Sequence, residues 1–166
     1  NINSSTFVNL CKNGYIKLVE IVLKNNKITY DLNFIFKIIS YGDPDMLKIL
    51  LENNSQDINS QIKTNEFENI GCLCFAVLNN NIKIVQYLLT IENIDVNLKC
   101  VKNKNIFNRI TATALRLAVK NNNYEIVSSL LNHPKIGINF DESGDCEYNE
   151  EIVNFGNINV EKNALI

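Results

Sequence analysis

Apolar residues recur along this chain in a pattern that is repeated four times. The windows that carry it align without gaps and cover residues 5–23, 33–51, 71–89 and 113–131. Near the end of each window stand two pairs of apolar residues, with a polar residue after the first pair. Spacings of one, three and four residues place the apolar side chains on one face of a helix. All sixteen positions are apolar: Leu18, Val19, Val22, Leu23, Met46, Leu47, Leu50, Leu51, Ile84, Val85, Leu88, Leu89, Ile126, Val127, Leu130 and Leu131.

A second apolar stripe lies earlier in each window. It predicts another helix, which precedes the helix at the end of the window. It consists of Phe7, Leu10, Cys11, Ile35, Ile38, Ile39, Leu73, Ala76, Val77, Leu115, Ala118 and Val119. Between the two helices the equivalent residue is Gly14, Gly42, Asn80 or Asn122. Glycine and asparagine accept the left-handed conformation that ends a helix. Each window therefore predicts a helix, a tight turn and a second helix.

The fourth window is the clearest copy, and it resembles the unit of the ankyrin-repeat family. Residues 113–118, Thr-Ala-Leu-Arg-Leu-Ala, stand where that family has Thr-Pro-Leu-His-x-Ala. No copy keeps the proline, and the histidine is replaced by Val8, Phe36, Cys74 and Arg116 in turn. The resemblance implies an all-α, ankyrin-type solenoid of about four stacked helix-turn-helix repeats with long edge loops.

The connections between the windows vary in length, whereas the windows do not. Equivalent leucines are 28, 38 and 42 residues apart, against about 33 in the usual unit. Insertions of this kind map to loops on one edge of a solenoid. Three short segments, 57–59, 95–97 and 137–139, predict matching starts for these loops. We expect residues 1–166 to form a single repeat domain, with residues 163–166 beginning a partial fifth repeat or packing as a tail.

Composition narrows the functional classes. The chain is 46% hydrophobic and 20% charged, with a net charge of −2, which is typical of a folded domain with no general attraction to nucleic acid or an anionic membrane. No run of about 18 apolar residues appears. We therefore expect a cytoplasmic chain that acts as a monomer without membrane insertion. Because residues 163–166 resemble the opening of a further unit, we also expect the chain to be part of a longer protein.

The groups that could support catalysis are few. Cys72 and Cys74 form a C-x-C motif in a predicted helix, but no second Cys/His pair follows at zinc spacing. Cys11 is expected in the core, whereas Cys100 and Cys146 are expected in loops as free thiols. His133, the single histidine, follows the last predicted helix. We predict no catalytic residue, no cofactor and no metal site.

The ankyrin resemblance implies that first helices and loop tips line a concave binding face. By position this predicts a partner-binding set on the first helices, consisting of Asn9, Lys12, Lys37, Asn79, Arg116 and Lys120. The connection before the fourth window adds a basic group, Lys99, Lys102, Lys104 and Arg109 around Phe107. An acidic group follows that window: Asp141, Glu142, Asp145, Glu147, Glu150 and Glu151.

The two charged groups leave three interpretations open. They could form a recognition edge for an acidic partner, with Phe107 as a hot spot, pair with one another, or be solvated insertions. The leading functional hypothesis is a protein–protein interaction module without catalysis. The alternative is a structural spacer in a multidomain protein; a Cys/His enzyme and a nucleic-acid binder are less favoured.

Overall fold

A computed structural model describes residues 3–25, 28–105 and 108–137, with backbone alone for 103–105 and 108–110. The described chain contains four helix pairs, as the resemblance implies, and four strands. The helices are α1 (Ser4–Lys12), α2 (Ile16–Asn25), α3 (Leu32–Tyr41), α4 (Pro44–Glu52), α5 (Cys72–Leu78), α6 (Ile82–Leu89), α7 (Ala114–Lys120) and α8 (Tyr124–Leu131). The strands are β1 (Gln61–Ile62), β2 (Phe67–Gly71), β3 (Cys100–Asn105) and β4 (Asn108–Ala112).

The helix pairs stack in two parallel rows. First helices contact one another in the order α1, α3, α5, α7, and second helices in the order α2, α4, α6, α8. The predicted apolar positions fill the space between the rows, where Met46, Ile84 and Ile126 have no exposed surface. The prediction of burial is wrong for Leu18, the equivalent residue of α2, which is 49% exposed. No described element covers α2 on that side.

The turns between paired helices have the predicted left-handed conformation. The φ angle is +70° at Gly14, +81° at Gly42, +55° at Asn80 and +52° at Asn122. This geometry is accessible to glycine and tolerated by asparagine, which confirms the assignment of the helix ends.

Three of these turns, at Gly14, Gly42 and Asn80, lie against the residue that caps a helix of the next unit. Asp43, Asn81 and Asn123 are the N-caps of α4, α6 and α8, and their side chains accept hydrogen bonds from backbone N–H groups of those helices. The side chain of Asn81 lies over Gly42, and that of Asn123 donates to the side-chain oxygen of Asn80. The caps therefore join consecutive units as well as starting a helix.

The edge loops contain structure that the sequence did not predict. Strands β1 and β2 form one antiparallel hairpin, and β3 and β4 form another. Antiparallel pairing of β2 with β3 joins the hairpins into one four-stranded sheet in the order β1-β2-β3-β4. The register of that central pairing shifts between Phe67 and Asn69. Two insertions that are far apart in the sequence thus become one continuous edge of the stack.

The matching loop starts are held together by asparagine side chains. Asn59 donates to the carbonyl of Asn93 at 2.8 Å and accepts from the N–H of Asp95 at 2.7 Å. One unit further, Asn97 donates to the carbonyl of Lys135 at 2.8 Å and accepts from the N–H of Gly137 at 2.7 Å. The prediction that these segments are equivalent is confirmed for the first two; the third continues outside the described residues.

Candidate interaction surface

We call the predicted first-helix set the first-helix face: Asn9, Lys12, Lys37, Asn79, Arg116 and Lys120. The structure places its members on, or at the end of, the four helices of the first row. Arg116 is partly buried and the other five residues are exposed. Arg116 donates from Nη1 to the carbonyl of Thr111 at 3.3 Å, which connects α7 to β4. Asn79 donates from its amide to the carbonyl of Phe75 at 3.0 Å and so ends α5.

The first helices share one sign of charge. The helices α1, α3, α5 and α7, as the structure describes them, contain Lys12, Lys37, Arg116 and Lys120 and no Asp or Glu. The second helices mix both signs, with Glu20, Asp45, Glu52 and Glu125 among their lysines. A chain with a net charge of −2 therefore has a locally cationic row of helices. Such a row favours contact with a molecule that presents negatively charged groups to it.

The predicted basic group lies on the second hairpin. Lys99 is exposed just before β3, and Lys102 and Lys104 belong to β3. Lys102 Nζ lies 3.0 Å from a carboxylate oxygen of Glu66 and 5.4 Å from the ring centre of Phe67. Part of this basic charge is thus paired with Glu66 in the turn between β1 and β2, and the sequence analysis did not predict this pairing.

The remaining members of the two charged groups are Arg109, Phe107 and the acidic residues. Arg109 belongs to β4, and only the backbone of this residue is described. Phe107 and the whole acidic group lie outside the described residues. The three interpretations of these groups therefore stay predictions.

The described thiols are structural. Cys11, Cys72 and Cys74 are buried in α1 and α5, as expected. The expectation of a loop is wrong for Cys100, which begins β3 and is buried, because pairing with β2 and β4 turns that loop into a sheet. Its hydrogen bond with Cys74 raises the pKa of Cys74 and lowers that of Cys100. Cys146 lies outside the described residues.

Burial should make two of these thiols unreactive. Desolvation raises the pKa of Cys11 to about 11 and that of Cys72 to about 12, from an ordinary 9.0. Because the folded pKa is raised, the stability contributed by each thiol is present below pH 9.0 and is lost as the pH rises toward 11 and 12. We expect N-ethylmaleimide at pH 8 to leave both unmodified in the native chain and to modify both in urea, as read by peptide mass spectrometry. Labelling of either at the same rate in both conditions would contradict this.

The described chain also shows where the remaining candidate ligands and helices lie. Among the described residues, no three or more His, Cys, Asp or Glu side chains come together as metal ligands. His133 follows α8, and its Nδ1 accepts from the N–H of Lys135 at 3.3 Å. None of the helices in the described ranges is both long enough and apolar enough to cross a bilayer.

Comparison with known proteins agrees with this geometry. The family model described as Ankyrin repeats (3 copies) matches residues 7–100 and, in a second overlapping match, residues 35–144. Together the two matches extend from within α1 to beyond α8. No curated protein matches the chain.

Proposed function

The chain belongs to the ankyrin-repeat family, whose repeats are generally protein–protein interaction modules, and from this premise we propose that it binds an acidic surface or segment of another protein. The first-helix face is the proposed contact, with the neighbouring hairpins beside it. The observation that carries the proposal is that every charged residue within the described first helices is basic, whereas the second helices contain both signs.

The proposed function is binding without catalysis. Ankyrin repeats are generally non-catalytic. The raised pKa values of Cys11 and Cys72 support the proposal, because a protonated thiol is a poor nucleophile. A protein is favoured over nucleic acid as the partner because the net charge of the whole chain is negative, which opposes non-specific attraction to phosphates.

The test compares two sets of charge reversals on opposite rows of helices. One variant combines Lys12→Glu, Lys37→Glu and Lys120→Glu on the first helices. The control combines Lys17→Glu, Lys48→Glu and Lys83→Glu on the second helices, where all three lysines are exposed. Both variants have the same net charge, so a difference between them reports the face and not the total charge.

The unchanged chain and the two variants are each immobilised and exposed to an extract of the cells that naturally produce the chain. Quantitative mass spectrometry then measures the amount of each captured protein. We expect at least one protein to be captured equally by the unchanged chain and the control, and about tenfold less by the first-helix variant. Circular dichroism should show the same helix content in all three. If the two variants capture each protein equally, whether at the level of the unchanged chain or below it, the first-helix face is not the contact.

A further inference from the structure

An open cleft lies at the first two units. It has a volume of about 490 Å³ and is bounded by α1, the connection before α3 and the loop after α4. Phe7 and Val8 contribute from α1, Tyr30 and Asp31 from the connection, and Gln56 from the loop. This volume is within the range of pockets that hold a ligand or a large side chain. The connection here is short, and no hairpin of the described chain follows the first unit as it follows the second and third.

The cleft has an aromatic wall that is fixed in place. The ring of Phe7 lies 6.0 Å from that of Tyr30 and 5.7 Å from that of Phe34, with interplanar angles of 26° and 24°. The phenol of Tyr30 donates to the carbonyl of Leu50 at 2.7 Å. Burial, with a smaller contribution from Cys11, raises the pKa of Tyr30 to about 12, so the phenol keeps the proton that it donates. Phe7 and Phe34 are buried and support Tyr30 from behind. Tyr30 is anchored at its polar end and only partly buried, so its ring provides the surface for a ligand.

One of the residues that line the cleft is charged, and Lys37 of α3 interacts with it electrostatically. Nine residues line the cleft, all of them in the described chain, and of these only Asp31 is charged. Its carboxylate accepts from the amide of Asn33 at 2.9 Å and from the N–H of Phe34 at 3.0 Å. These two hydrogen bonds hold the pKa of Asp31 below its usual value, so the side chain is ionised at neutral pH. A carboxylate has about four acceptor positions, so two remain for a ligand.

We propose that this cleft receives an arginine side chain from a partner protein, with the guanidinium between the ring of Tyr30 and the carboxylate of Asp31. A guanidinium is flat, stacks on aromatic faces and donates two parallel hydrogen bonds to a carboxylate. An apolar occupant would remove water from Asp31 without replacing it, and an acidic one would be repelled. A lysine offers a point charge with no flat surface to stack.

The inference rests on the proposed function, since it assumes a protein partner, but it concerns a different surface with the opposite charge. A bound segment that is acidic along the first-helix face and carries an arginine at the first unit would have a defined direction. Electrostatic complementarity of this kind fixes register more than it adds affinity.

The test uses a peptide pair that differs only in charge. The ¹⁵N-labelled full chain is titrated with acetyl-Gly-Gly-Arg-Gly-Gly-amide and with the same peptide carrying citrulline, a neutral analogue of arginine of nearly the same shape. We expect saturable amide shifts at Val8 and at Thr29 to Asp31, and an affinity about fivefold higher for the arginine peptide. Equal affinity for the two peptides, a higher affinity for a lysine peptide, or no saturable shift at these amides would overturn the proposal.

Asp31→Asn provides the matched variant. Asparagine caps a helix about as well as aspartate, so α3 should stay intact while the charge is lost. We expect this change to lower the affinity of the arginine peptide about fivefold, to that of the citrulline peptide. Asp45→Asn removes an exposed carboxylate from the first turn of α4 and should have no effect. An equal loss in both variants would show a general charge effect and overturn the site.

The two proposals can fail independently. If the arginine peptide binds at the cleft but no extract protein depends on the first-helix lysines, the proposed function fails and the cleft stands. If extract capture depends on those lysines but the peptide shifts are absent, the cleft fails and the proposed function stands.

Discussion

Replacing Ile84 with alanine is expected to lower the free energy of unfolding by about 3 kcal/mol, because it empties a fully buried position in an interior repeat. Ile84 has no exposed surface and lies in α6, which packs between α4 and α8. Deleting its side chain removes apolar contacts and leaves a cavity that the stacked helices close only in part. In a solenoid each unit is stabilised mainly by its neighbours, so weakening α6 weakens both of its interfaces.

Leu18→Ala is the matched control, because Leu18 occupies the equivalent position of α2 but is 49% exposed. We expect a loss of under about 1 kcal/mol there, in proportion to the smaller buried surface. Urea denaturation followed by circular dichroism measures both values on the full chain. Similar losses for the two variants would mean that burial in the stack does not decide the contribution of this position.

Gly42→Ala is expected to lower the free energy of unfolding by about 2 kcal/mol. Roughly 1 kcal/mol comes from placing a Cβ on a left-handed residue, since φ is +81° at Gly42. The rest comes from Asn81. An added Cβ would lie 2.5 Å from the amide nitrogen of Asn81, whose side-chain oxygen accepts the N–H of Ile84 at 3.2 Å. Moving that side chain away loses the N-cap of α6, which is worth about 1 kcal/mol.

Two variants separate these contributions. Gly14→Ala has similar left-handed strain, with φ at +70°, but its Cβ would meet a carboxylate oxygen of Asp43 at an ordinary 3.6 Å. We expect a loss of about 1 kcal/mol there. In an Asn81→Ser background, where a shorter side chain still caps α6, Gly42→Ala should also cost about 1 kcal/mol. A cost that is unchanged by Asn81→Ser would show that the contact between the two units contributes nothing.

The helical part of the fold could be predicted because its signals are local. Positions such as Met46 and Leu50 recur at the spacing of one helical face, and Gly42 and Asn80 are residue types that end helices. The four left-handed turns confirm that reasoning at each unit. Leu18 shows the limit of reasoning from periodicity, because the pattern identifies an apolar face but does not show whether another element covers that face.

The candidate surfaces were predictable only in part. Lys12, Lys37 and Lys120 could be placed on exposed first-helix positions from the repeat register, although their contact with a partner stays a prediction. The pairing of Lys102 with Glu66 could not be foreseen, because it depends on β2 lying beside β3. The cleft was not predicted either, because Phe7, Tyr30 and Phe34 come together only when α1 and α3 stack. The signal available in the sequence was an aromatic residue, Tyr30, in a short connection.

The repeating helix pair, its turns and its family follow from the sequence, because helix periodicity and turn chemistry depend on residues close together in the chain. Tertiary structure decided the rest: which of four equivalent positions is exposed, how two separate insertions form one sheet, and how three aromatic rings and one carboxylate border the same cleft. These features depend on contacts between units, and the spacing of residues along one unit carries no information about the residue that the next unit will bring against it.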